Sequence, residues 1–348
     1  MPTVRGESDP TGRCGSVKRI RRFINHSDVE RFRFWFQIAA FAFLLYGGYL
    51  AIDLGNSVPT FACPFADRTG GTCYLYPLQH QMSMPVKDLF GFRGVAVLTG
   101  LATFLGFFLL FNKTWCGFAC PLGTIQDWIS RGRQRLRIRY GRYSDGTFRV
   151  LKKIKYVLLV LLIVLPLLMG NSLFGLPMLS HDFATPYCMV CPSRTLLPLF
   201  SADAGQLAID FSSKTKMVLT ALGMAVTGLF LAGAFLKKRF FCLFCPMSAF
   251  QYLFSKLALM RLAKRGEKCT RCGNCYQVCD VAIQAIADDV VSRNILKDDC
   301  MMCLKCIGSC REEGCLELSF LGIPLYESTQ EGFFRRTERK ITGERGKS

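Results

Sequence analysis

The chain has 348 residues, 51% of them hydrophobic, with 18 cysteines and a formal net charge of +19. A mean hydropathy of +0.26 is high for a water-soluble protein, and cysteines this numerous and this patterned are foreign to an ordinary cytosolic enzyme. The charge would suggest nucleic acid in a soluble protein, but here the basic residues crowd beside apolar runs, so no nucleic-acid partner is expected.

Residues 1–32 are polar, carry "SVKRIRR" and lack a short apolar core ending at a cleavage site. They read as a cytoplasmic leader rather than a signal peptide, with residues 1–20 disordered; Cys14 receives no role. A bilayer core of ~30 Å takes about 20 apolar helical residues. Four uncharged runs qualify: 34–52, 94–112, 156–176 and 217–236. Lysine and arginine bias sets their orientation. The leader, loop 113–155 ("RGRQRLRIRYGRY", "RVLKKIK") and the "KKR" after the fourth run are basic, whereas loops 53–92 and 177–216 hold few Lys or Arg. The expectation is a multi-pass protein of a bacterial inner membrane, both termini cytoplasmic, with those two loops outside. The basic stretch in loop 113–155 reads as an anchor on anionic lipid; docking of an acidic partner is the sharper alternative.

Cysteines mark the ends of the runs. "FACPF" (Cys63) and then Cys73 precede the second run, and "WCGFACP" (Cys116, Cys120) follows it. "YCMVCPSR" (Cys188, Cys191) precedes the fourth, and "FCLFCP" (Cys242, Cys245) follows it. The spacing from outer to inner Cys-Pro is nearly equal in the two halves. The membrane part therefore reads as a two-fold repeat of span, outer Cys-Pro, span, inner Cys-Pro. Packing the halves as one bundle brings like ends together. Cys116, Cys120, Cys242 and Cys245 then meet at the cytoplasmic face, four thiols for one cube. Cys63, Cys73, Cys188 and Cys191 meet at the outer face, where a cluster, two disulfides (Cys63–Cys73 and Cys188–Cys191) or another metal all remain open. Disulfides are disfavoured for the inner set by its reducing compartment.

The last third carries two ladders of spacing C-x2-C-x2-C-x3-C: Cys269, Cys272, Cys275, Cys279 and Cys300, Cys303, Cys306, Cys310. Thiolate is the ligand of a [4Fe–4S] cube, and in two-cluster ferredoxins the fourth Cys of each run serves the other cluster. The pairing expected is Cys269, Cys272, Cys275 with Cys310, and Cys300, Cys303, Cys306 with Cys279. Zinc is the competing reading, but its sites favour two C-x2-C pairs. The usual Pro after each fourth Cys is replaced by Asp280 and Arg311. Cys315 reads as buried packing at the start of a closing strand, "CLELSF". The fold class expected is membrane all-α, four transmembrane helices in a two-fold repeat, plus a small cytoplasmic α+β dicluster ferredoxin-like domain. Its divisions are leader 1–32, membrane domain 33–260, ferredoxin-type domain 261–326 and flexible tail 327–348.

Inner "WCGFACP" and "FCLFCP" after spans, joined to "CTRCGNCYQVC" and "CMMCLKCIGSC", resemble the NapH/MauN-type membrane ferredoxins over roughly residues 33–320. Their core is shared with NosR-like proteins and the CcoG (RdxA/FixG) oxidase-assembly proteins. The resemblance implies quinol oxidation in the membrane and delivery of electrons through [4Fe–4S] clusters to a redox partner, as the electron-transfer subunit of a quinol dehydrogenase-type, multi-subunit system. The chain departs from the pattern in its second inner motif, which is C-x2-CP rather than C-x3-CP. Its outer cysteines are closer to the NosR-like relatives. No flavin-binding domain is read before the first span and no folded domain after 325.

Quinol chemistry needs an acid–base group. The three histidines, His26, His80 and His181, all lie outside the spans, which argues against a haem held by two histidines in the bilayer. An outer quinol site using His80 and His181, the latter oriented by Asp182, is the expectation; solvated loop histidines are the bland alternative. Two other functions remain. "HQMSM" (His80, Met82, Met84) beside outer thiols suits copper handling, and a membrane redox sensor would also use clusters.

Overall fold

In a computed structural model, residues 28–50, 62–67, 69–82, 91–138, 145–170, 185–297 and 299–345 are described. Cys14, His26, Met84, His181 and Asp182 lie outside them, as do residues 1–27.

Helix α1 (Val29–Tyr46) starts at Asp28, whose carboxylate accepts from the Glu30 and Arg31 N–H groups. Short α2 (Leu75–Met82) precedes the long apolar α3 (Phe92–Phe111). A single turn, α4 (Thr114–Phe118), leads into amphipathic α5 (Pro121–Arg135). Then come α6 (Asp145–Gly170), α7 (Pro186–Val190), α8 (Pro192–Phe200), α9 (Lys214–Leu236) and α10 (Pro246–Phe254). Helices α1, α3, α6 and α9 lie on the four apolar runs. Among the described residues one helix, α9, is long and apolar enough to cross a membrane, and α3 adds a shorter apolar stretch, Val97–Phe111. All four helices leave large apolar side chains uncovered, among them Trp35, Leu98, Val160 and Leu222.

The inter-run loops do not stay outside the bundle. Helix α2 packs on α6, while α7 and α8 pack on α9. Between α2 and α3, Tyr74 stacks on the fully buried Phe104 with centroids 4.0 Å apart, a pairing that adds about 0.5–1.5 kcal/mol to the area both rings bury.

The tail is a three-stranded antiparallel sheet, β1 (Met260–Lys264), β2 (Leu316–Phe320) and β3 (Ile323–Glu327), in the order β1-β2-β3. Its own apolar core, built from Leu262, Ile286, Ile295, Met302, Ile307 and Leu318, surrounds the two ladders. Residues 327–348, expected as a flexible tail, instead contain helix α11 (Gln330–Arg345). Thr329 caps it, its hydroxyl accepting from Gly332 N–H. Arg336 then pins the helix to the ladder loop by donating to the Gly308 carbonyl at 2.9 Å. The charge-rich composition concealed a cap and one docking face.

The tail is fastened to the helices by buried polar contacts. Lys155 of α6, fully buried, pairs with Asp299 at 2.5 Å. Asn112, at the end of α3, donates to the Met260 carbonyl at 2.8 Å. Asp280 takes Lys305 at 2.6 Å from its own domain, and Lys238 at 3.6 Å and Arg33 at 3.8 Å from the helical part. The residue that stands in place of the expected Pro is therefore one of the anchors between the two parts.

Candidate functional site

The tail places Cys269, Cys272, Cys275 and Cys310 around one pocket and Cys279, Cys300, Cys303 and Cys306 around a second. Each pocket draws three thiols from one ladder and one from the other. The ladders share a backbone device. Arg271 and Met302 are left-handed at matching positions, as are Gly273 and Leu304. Glycine meets that demand freely, whereas a residue such as Leu304 bears a strain of ~1–3 kcal/mol. Alternating left- and right-handed residues aim successive N–H groups at one centre; Met302 N–H reaches Cys300 Sγ at 3.4 Å and Ile283 N–H reaches Cys279 Sγ at 3.5 Å.

Burial pushes the Cys279 and Cys300 thiols up to about 12, with the neighbouring Cys303 adding to the effect in both. Such thiols ionise only against a cationic body, and a coordinating metal deprotonates them. Among the described residues no three His, Cys, Asp or Glu side chains converge as ligands of a single ion. A cube is wider than an ion, and its thiolates stand around a body rather than a point. Four soft donors around each pocket, with N–H groups aimed at two sulfurs of the second, suit the [4Fe–4S] group. Cys315 is buried as expected, but it also lines the first pocket and hydrogen-bonds Cys310.

In the helical part a cavity of about 80 Å³ is lined by Cys63, Cys73, Cys116, Cys120, Cys188, Cys191 and Cys245. Cys242 joins it electrostatically through Cys116, Cys120 and Cys245. The inner four are thus neighbours, and so are the outer four, with Cys188 beside Cys73, Cys191 and Cys63. The two sets are not at opposite faces. Cys73 lies within electrostatic reach of Cys120, because α2, α7 and α8 pack against the long helices. No disulfide joins any of the seventeen described cysteines.

Local folding explains the thiol positions. Cys120, Cys191 and Cys245 are each the N-cap of a helix whose first residue is Pro. Proline suits that position because its missing N–H would be unpaired there, and the positive helix end favours thiolate. The missing residue of the second inner motif is taken up by a 3₁₀ turn, Phe240–Leu243, entered through left-handed Arg239, where the first repeat has α4.

Several residues were not singled out from the sequence. Gln126 and Gln251 stand at the same offset from their Cys-Pro motifs, both almost fully buried. Each reaches into the other repeat: Cys116 Sγ donates to Gln251 Oε1 at 3.0 Å, and Gln126 Nε2 approaches Cys242 Sγ at 3.9 Å. Gln251 Nε2 is buried with no hydrogen-bond partner, a donor left beside the thiols. Gln79 donates to Cys188 Sγ at 3.1 Å. Asp127 gathers Arg33, Gln37 and Arg239, tying α1 and the 3₁₀ turn to α5. The repeated Gln and the lone carboxylate among apolar residues in "CPLGTIQDW" were the available signals.

His80 sits exposed on α2, stacked on Tyr76 at 5.9 Å, and lines neither cavity of the helical part. The expected role beside the outer thiols is not matched by its placement, because α2 turns its buried face, with Gln79, inward. His181 and Asp182 fall outside the described residues, and nothing is stated of the Met82 side chain.

Two families match parts of the chain: a 4Fe-4S binding domain at residues 93–139 and again at 219–265, and a 4Fe-4S dicluster domain at 261–311. The chain is 26% identical to YccM of Escherichia coli over 71% of its length and 63% of that protein's. It is 25% identical to the ferredoxin-type protein NapH of Escherichia coli over 80% of each. To the methylamine utilization ferredoxin-type protein MauN of Methylorubrum extorquens it is 26% identical, over 53% of this chain and 54% of that one. No solved structure matches. With its dicluster tail, its twice-matched Cys-Pro segment and these relatives, the chain is similar to the NapH/MauN-type [4Fe–4S] polyferredoxins and to NosR.

Proposed function

We propose that this iron–sulfur electron-transfer protein passes single electrons between a membrane quinone pool and a redox partner through four [4Fe–4S] clusters. Two are held in the tail, by Cys269, Cys272, Cys275, Cys310 and by Cys300, Cys303, Cys306, Cys279. One is held by Cys116, Cys120, Cys242 and Cys245, and one by Cys63, Cys73, Cys188 and Cys191. When bound, the clusters supply one-electron chemistry to a two-electron carrier.

The observation that carries this reading is the continuity of the four thiol sets. Gly117, in the turn between Cys116 and Cys120, lies on the tail ladder so closely that an added Cβ would stand 2.5 Å from the Met301 carbonyl oxygen and 3.3 Å from Cys303 Cα. The inner set thus abuts the second tail pocket, and the outer set abuts the inner one. The protein's own residues keep this path rigid and dry. Asp127 fixes α1, α5 and Arg239; Asp280 and Asp299 hold the tail in place; and the apolar core around Cys63, Cys120 and Cys191 excludes water. We read α1, α3, α6 and α9 as the four spans, with both termini on the tail side, supported by their uncovered apolar faces.

Iron and acid-labile sulfide content of the purified chain, with EPR spectra of the reduced form, tests this. Sixteen iron per chain is expected on the four-cube reading, together with reduction by a quinol. Eight iron confined to the tail, or clusters that no quinol reduces, would sink it.

A further inference from the structure

Between α6 and α9 lies a cavity of about 600 Å³. Leu158, Leu165, Leu222 and Val226 line its length, and Phe240 and Phe244 close one end. Every lining residue is apolar except Tyr187 and Cys191. Those two, with Phe241, also belong to the wall of the thiol cavity. The large apolar space and the cavity lined by seven thiols therefore share one wall, in which Cys191 is itself one of the thiols. Tyr187 is held firmly in that wall. Its N–H donates to Gln79 Oε1 at 3.0 Å and its side chain lies beside Cys191.

We propose that this cavity binds a membrane quinone, its ring against Tyr187 and its isoprenoid tail along α6 and α9. The volume lies within the usual range for small-molecule sites, roughly 300–1,000 Å³. The wall rejects charged and strongly polar ligands, since burying them unpaired is costly. An acyl chain satisfies the leucines but makes no use of the Tyr187 phenol at the inner wall. A lipophilic ring with oxygen at one end and hydrocarbon at the other matches both features. This inference rests on the electron-transfer reading above, and it moves the carrier from the expected His80 and His181 to Tyr187.

The test uses the full chain in detergent and a benzoquinone with a decyl tail. Three variants are compared with the unchanged protein: Val226→Trp and Leu222→Trp, which fill the cavity, and Tyr187→Phe, which keeps its shape. Binding is measured by titration calorimetry, cluster reduction by the corresponding quinol and by dithionite, and iron content throughout. Both tryptophan variants are expected to weaken binding and slow quinol reduction at least tenfold, with dithionite reduction and iron unchanged. Tyr187→Phe is expected to weaken binding severalfold. The lipid-facing Leu222 serves if the Val226 variant loses iron and so fails to fold. Normal binding and quinol reduction in the iron-replete tryptophan variants would overturn the site while leaving electron transfer intact. Displacement of the quinone by excess phospholipid would overturn it also, marking the cavity as an acyl-chain groove. If the unchanged protein is reduced by dithionite but never by quinol, the quinone reading itself falls, and the site with it.

Discussion

The two halves of the molecule reach the same end by different means. In the tail, eight thiols come from two short ladders, and each pocket takes three neighbours in sequence. In the helical part, eight thiols come from four separated segments, and each set needs both repeats. The tail encodes its sites in local spacing and left-handed turns. The helical part encodes them in tertiary packing, with Gln126 and Gln251 each crossing to the partner repeat's thiol. Local encoding makes a site robust to what happens elsewhere, whereas distributed encoding makes it only as sound as the least stable helix contact.

Loss of a ligand is the most severe test of that contrast. Cys120→Ser and Cys245→Ser are each expected to remove the same four iron, and the double variant no more, because one cube takes one thiolate per iron. Adding Cys303→Ser should remove four further. If Cys120→Ser alone strips the tail pockets, the independence of the two regions is wrong. Iron and sulfide analysis decides it.

Next in size is the joint between the regions. Asp280→Ala leaves Arg33, Lys238 and Lys305 facing one another without their carboxylate. Removing one partner of a buried pair costs about 3–5 kcal/mol; the partly exposed Lys238 and Lys305 argue for the low end of that range. Thermal unfolding and protease sensitivity near residues 255–260 should both report it. An unchanged melting temperature at full iron content would mean that the joint depends on Lys155–Asp299 instead.

Gln251→Leu is a finer probe. Hydrogen bonds to cluster sulfurs raise the reduction potential, and Gln251 Nε2 is a buried donor beside Cys116. The variant should lower the potential of one EPR signal and leave the tail signals where they are. A shift in a tail signal, or none at all, would remove Gln251 from the inner site. The smallest change is expected from Cys315→Ala: full iron content, with at most a modest change in the first tail signal. Loss of iron would make Cys315 a ligand.

The tail was legible because its chemistry is written in consecutive residues. The pattern of three cysteines and a borrowed fourth leads directly to the two pockets observed. The four apolar runs likewise announced the long helices. The packing of residues 69–82 and 185–200 against the long helices was not legible. "LYPLQHQM" and "PYCMVCPSRTLLPLF" are too short and too mixed to betray burial, so the two thiol sets were assigned to opposite faces. Asp280 was visible only as a missing Pro, since its partners Arg33 and Lys238 lie far off in sequence. Helix α11 was concealed by its charges, although "STQEG" holds its cap.

The crossing of Gln126 and Gln251 between repeats has a consequence for synthesis. A ribosome delivers Cys116 and Cys120 long before Cys242 and Cys245. Through that interval the first repeat carries two thiols and an unmet amide, and no complete ligand set. The tail ladder that closes against Gly117 emerges later still. On the proposed reading the inner site can therefore load only late, after residue 245 is free, and is most open before the loop at Met301 settles over the turn. A nascent chain arrested at residue 240 should lack the four iron of the inner site, and one long enough to bring Cys245 clear of the ribosome, with that site still open, should be the form a cluster-delivery protein meets.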